Sequence, residues 1–150
     1  MNTPPPPPPQ SSQDIFTPSA DKEAQARIFK AEALKTRNFL FGIAVIYFLG
    51  NALPAIIAGL PGGSIALSFI VTIVFLGMGL LATTQPFIAA IISAILIAIM
   101  LILLVVAMGA LRGAGWAIIL PWIIFLIAAG LEVAAFMSAN KAEQARKLMI

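Results

Sequence analysis

Between Asn38 and Leu111 the chain carries no Asp, Glu, Lys or Arg, and between Gly113 and Asn140 it carries one, Glu132. A polypeptide folded in water must coat its core with polar side chains. A stretch with none to offer is confined to surroundings in which an apolar coat is an advantage. Composition agrees, with 61% of the 150 residues apolar and 10% charged, against roughly 45–50% and about 25% in soluble domains. The pattern predicts an all-α integral membrane protein. Strands fit poorly, because the apolar runs outlast a strand and lack the alternation of a membrane barrel.

Short clusters of breakers cut the apolar region into segments. Pro61-Gly62-Gly63-Ser64, Thr83-Thr84-Gln85-Pro86 and Arg112-Gly113-Ala114-Gly115 supply the backbone freedom and fixed φ that reversals need. The segments between them predict four spans, Phe39–Leu60, Ile65–Ala82, Pro86–Leu111 and Trp116–Met137, arranged as an up-down bundle. Each approaches the ~20 residues that cross a ~30 Å hydrocarbon core, the second being short and the third long enough to tilt.

Basic residues set the expected orientation. Lys22, Arg27, Lys30, Lys35 and Arg37 precede the first span, Lys141, Arg146 and Lys147 follow the fourth, and only Arg112 falls in a turn. Basic flanks stay cytoplasmic. Both termini are therefore expected inside, which an even number of spans requires. Trp116, with Trp122, is expected near the outer interface. Of these residues Lys30, Lys35, Arg37, Lys141, Arg146 and Lys147 are expected to meet anionic lipid headgroups.

The N-terminal region divides in two. Residues 1–18 include six consecutive prolines, Pro4 to Pro9, and read as a disordered tail: a polyproline II tether, or a ligand for SH3- or WW-type domains. Residues 19–38 favour helix and run into the first span without a breaker, and residues 138–150 extend the fourth in the same way. The first 37 residues lack an apolar core segment, so the first span itself is expected to direct insertion.

Cysteine and histidine are absent. With them go disulfides, thiolate nucleophiles, the usual zinc and iron–sulfur sites and the commonest general base. No GxxxxGK[ST] phosphate cradle occurs, and the basic stretches hold few aromatics, so nucleic acid is not an expected partner. We expect no catalytic residue, no cofactor and no metal site. The lack of cysteine and of any N-x-[ST] acceptor suits a bacterial inner membrane.

A few residues could carry chemistry. Glu132 is the one acid within a span, a functional hypothesis by default. It lies about five residues, some 7–8 Å, from the expected inner end. That depth predicts an interfacial carboxylate, hydrated or paired with a basic flank or with Thr83, Thr84 or Gln85, while a proton-coupled or cation-binding role is the sharper alternative. Tyr47 and Asn51 share a face of the first helix, and Thr72 reaches similar depth on the second; the three could line a solute path or act as interhelical glue. Pro54 and Pro121 each remove a helical hydrogen bond and predict kinks at matched outer depth. Ala90, Ala94 and Ala98 on the third span, and Gly130, Ala134 and Ser138 on the fourth, recur at spacing four and predict close helix packing, within the chain or between copies.

The layout resembles that of the small multidrug resistance exporters, which are also compact four-helix membrane proteins. Those proteins carry their essential acid on the first helix, where this chain has Tyr47 and Asn51. The residues themselves point first to a noncatalytic accessory, scaffold or membrane-organising subunit, whose partner would be a larger membrane protein or a second copy. A small oligomeric transporter or channel using Glu132 and the Tyr47, Asn51, Thr72 cluster is the alternative.

Overall fold

The computed structural model describes residues 18–57, 59, 62–110 and 116–149. Its elements are helices: α1 (Pro18–Tyr47), a π-helical segment (Phe48–Ala52), α2 (Leu53–Ile57), α3 (Gly62–Leu81), α4 (Pro86–Ala110) and α5 (Trp116–Lys147). No strand occurs among the described residues. The proline run Pro4–Pro9 and the Arg112–Gly115 turn lie outside them. Three helices are long and apolar enough to cross a membrane, over Ala20–Ala52, Pro86–Val106 and Pro121–Lys147. The apolar part of α3, Ile65–Leu81, is shorter.

The boundaries follow from local chemistry. α1, the π segment and α2 form one continuous rod, because Tyr47 and Leu53 at the joints keep right-handed helical dihedrals. Gly59 follows, with φ +63° and its N–H donating to the Ile56 carbonyl at 3.1 Å. That left-handed conformation is the one glycine adopts without strain at a helix end. Gly62, Gly63 and Ser64, expected in the turn, instead open α3. At the next reversal the Thr83 and Thr84 hydroxyls donate to the Leu80 and Leu81 carbonyls at 2.8 and 3.2 Å, adding to the backbone N–H bonds those carbonyls accept from Thr83, Thr84 and Gln85. Pro86 then starts α4 at the position where a missing N–H costs nothing.

α1 packs against α5 over the longest interface and against α3 on its other side, and α4 packs against α5 and more lightly against α3. α3 and α5 therefore occupy opposite corners. The α1–α5 pair is antiparallel: the Thr36 hydroxyl reaches the Ala135 carbonyl at 3.5 Å, Gly42 faces Leu131, and Gly50 faces Ile124. Ala128, Ala135, Ala139, Ala142 and Ala145 of α5 are buried along this seam, with Ala33, Thr36, Leu40 and Ile43 on α1. The outward surface carries Ile73, Leu80, Ile102, Val106 and Leu126, each more than half exposed. Small residues inside and branched aliphatics outside suit a hydrocarbon surround, where association comes from close backbone approach.

The expected small-residue stripes divide between the interior and the outward surface. Ala90 and Ser138 are buried, Ala94 and Ala134 are half-buried, and Ala98 and Gly130 face outward. A strict four-residue step drifts by roughly 40° each time at 3.6 residues per turn. The observed seam corrects for this with steps of three and four, as in Ala135, Ala139, Ala142 and Ala145.

Candidate functional site

Beside the buried hydroxyls of Thr36, Thr72 and Ser138, polar groups enter the interior of the described residues around the π segment and at Glu132. An ordinary helix would ask Pro54 for an N–H it lacks and drive its ring toward the Gly50 carbonyl. The chain instead widens by one residue, and the Leu53 N–H bonds the Phe48 carbonyl, five positions back. The expected kink at Pro54 is thus expressed as a π turn. Pro121 lies inside α5, which continues through it to Lys147.

The π turn places Asn51 so that its Nδ2 donates to the Tyr47 carbonyl at 3.4 Å. Aromatic contacts fix the segment against α3, with the Tyr47 ring 6.2 Å from Phe75 and the Phe48 ring 5.7 Å from Phe69 in edge geometry. Gly50 allows the close approach of α5, since a Cβ there would overlap the Ile124 side chain. Two cavities border Tyr47 and Asn51. One of about 260 Å³ is lined by Tyr47, Asn51, Leu67, Ser68, Val71 and Met100. The other, about 50 Å³, is lined by Tyr47, Asn51, Met100, Leu104, Pro121, Ile124 and Phe125.

Tyr47 and Asn51 are therefore brought together as expected, but Thr72 is not. Its hydroxyl donates to the Ser68 carbonyl at 2.9 Å, and the residue lines a separate apolar groove between α1 and α3 with Ala44, Phe48 and Leu76. Ser68, one turn earlier, takes its place on the cavity wall. A serine four residues before Thr72 in a charge-free helix was the available signal.

The second place is Glu132. It is 6% exposed, and Oε1 accepts from the Ser93 hydroxyl of α4 at 2.7 Å. Ser93 also lies 3.0 Å from the Ala90 carbonyl. Oε2 is buried without a hydrogen-bond partner. This corrects the expected hydrated carboxylate among the basic flanks and Thr83–Gln85. The helix rotates the acid inward onto the α4 seam, and Thr83 and Thr84 are engaged with α3 carbonyls. Sequence depth alone predicts hydration; the angular position turns the side chain onto Ser93 instead.

The basic residues remain on the periphery. Lys30, Lys35, Lys141, Arg146 and Lys147 are exposed. Lys35 pairs with Glu32 at 2.6 Å and Arg146 with Glu143 at 3.7 Å, contacts of a kind worth roughly 0–1 kcal/mol at a surface. The Arg37 guanidinium lies 5.8 Å from the centre of the Phe41 ring, and that ring in turn fills the space beside Gly79. No group of three or more metal-ligating side chains occurs among the described residues. No protein-family model, curated protein or solved structure matches the chain.

Proposed function

We propose that this is a noncatalytic multi-pass membrane protein with four spans and both termini cytoplasmic, most naturally in a bacterial inner membrane. It serves as an accessory, scaffold or membrane-organising subunit. The observation that carries this reading is the apolar plug between the two polar places. On α4, Ile97 separates Ser93 from Met100; on α5, Ala128 separates Glu132 from Phe125; Ile97 and Ala128 belong to one buried apolar cluster with Leu40, Ile43 and Phe75. The buried residues between Glu132 and the cavities beside the π turn on these two helices, Ile97 and Ala128, are apolar. Transporters bind at depth through broken helices or buried ionisable groups that solute can reach.

Two further features support an assembly role. Gly130 has open space where a Cβ would sit, and Ala98 is exposed, so faces of α4 and α5 are free for close approach by a larger membrane protein or a second copy. The peripheral cations Lys30, Lys35, Arg37, Lys141, Arg146 and Lys147 suit anionic headgroups at the cytoplasmic face.

The test is purification in mild detergent with photo-crosslinking amino acids at Gly130 and Ala98. One membrane protein retained in fixed stoichiometry and captured from both positions is the expected result. A second reading, a small oligomeric transporter, is favoured by the unpartnered Oε2 of Glu132. A clean homo-oligomer whose solute flux in liposomes disappears on Glu132→Gln would establish that reading and defeat the first.

A further inference from the structure

The cavity of about 260 Å³ beside the π turn has an asymmetric wall. Tyr47, Asn51 and Ser68 are polar; Leu67, Val71 and Met100 are apolar. Val71 is buried at the inner side, whereas Leu67 is 58% exposed and forms the rim. The cavity therefore meets the surrounding phase laterally, past an aliphatic side chain, with its hydrogen-bonding groups inside. No charged residue lines it or its smaller neighbour, so neither is built for an ion.

The volume falls just below the ~300–1,000 Å³ of drug-sized pockets. It accommodates a head group and leaves the remainder of a molecule outside. A head seated here meets an amide, a hydroxyl and a phenol-bearing side chain, and a tail leaving past Leu67 meets hydrocarbon. The 3.4 Å bond from Asn51 to the Tyr47 carbonyl is long, so little is lost when the amide turns to a better acceptor. The π turn sets this geometry by carrying Asn51 one residue out of ordinary helical phase.

We propose that this cavity binds an uncharged, lipid-soluble molecule through a carbonyl-bearing head of about one substituted ring, with an alkyl tail in the bilayer, as in an alkyl quinone. The inference rests on the membrane placement and is independent of the accessory role.

The test uses the full chain in lipid nanodiscs, with decyl-substituted benzoquinone as probe. Trp116→Phe leaves Trp122 as the one tryptophan, whose ring lies 6.4 Å from that of Phe125 on the wall of the smaller cavity. Quinones quench indole fluorescence on close approach. Saturable quenching above the linear background of membrane partition is expected. Asn51→Leu should weaken it by about three- to twentyfold, the range that loss of one intramembrane hydrogen bond implies. Leu67→Phe, a change at an outward position that leaves the fold intact, should obstruct the rim and weaken it as well. Ile99→Phe, exposed on α4 and outside the lining, should leave it unchanged. Circular dichroism and flotation with the lipid establish that each variant is folded and inserted. Quenching that is linear and equal in all variants overturns the proposal. Competition by decylbenzene as strong as that by the quinone overturns it too, by showing apolar filling without recognition of the carbonyl.

Discussion

Glycines separate tight contact from open surface at single positions. A Cβ at Gly50 would run into Ile124 across the α1–α5 seam, and one at Gly79 into Phe41, whereas Gly130 faces nothing within 4 Å. Gly50→Ala should lower stability in detergent by about 1–2 kcal/mol, overpacking outweighing the better helix propensity. Gly130→Ala should be neutral or stabilising by up to about 1 kcal/mol. Thermal denaturation of the three proteins side by side checks this, and equal effects at both positions would contradict the packing described. Nothing in the sequence distinguishes Gly50 from Gly130, because close approach depends on the neighbouring helix. The same holds for Glu132. Its presence in a span was legible, but its pairing with Ser93, 39 positions away, depends on the rotation of two helices about their axes.

At the level of elements, much was written in the chain. The Thr83–Pro86 breaker cluster marked one reversal, and the helix-forming composition ahead of the first span lies in α1, which runs unbroken over Pro18–Tyr47. Pro54 announced a disturbance, although whether a helix answers a missing N–H by bending or by widening one turn depends on what packs beside it. The antiparallel seam gives a direct test, since the chain has no cysteine of its own. Thr36→Cys combined with Ala135→Cys should form an intramolecular bridge under mild oxidation, because the Thr36 hydroxyl already reaches the Ala135 carbonyl. Thr36→Cys combined with Gly130→Cys should not. Gel mobility under non-reducing conditions reads both, and bridging of the second pair alone would mean a different register.

For the whole molecule, sidedness is the decisive quantity, and it turns on α3, whose apolar part is shorter than those of its neighbours. Single cysteines at Ala24, Gln144 and Gly113 report it through a membrane-impermeant maleimide applied to intact cells. With four spans, Gly113→Cys is labelled while Ala24→Cys and Gln144→Cys react only after permeabilisation. Labelling at just one of the two terminal positions would require an odd number of crossings and remove α3 from the membrane. Eight of the nine basic residues flank the spans, so sidedness is the global property that charge placement argues for most directly. The arrangement of helices around the bundle was less legible, because apolar faces that meet lipid and apolar faces that meet protein have nearly the same composition.

The continuity of α1 also has a mechanical side. Lys30, Ala33 and Leu34 stand level with Thr83 in the α3–α4 turn, so the helix from Pro18 onward overhangs that turn by about a dozen residues, close to 18 Å at helical rise. An overhang of that length on a stiff rod is a lever. The rod is braced by the alanine seam of α5 until it reaches the π turn, where the hydrogen-bonding register changes. Beyond the seam the rod is held at the π turn by Phe69 and Phe75 of α3 and Ile124 of α5, so the arm, the seam and the cavity wall lie along one continuous helical element.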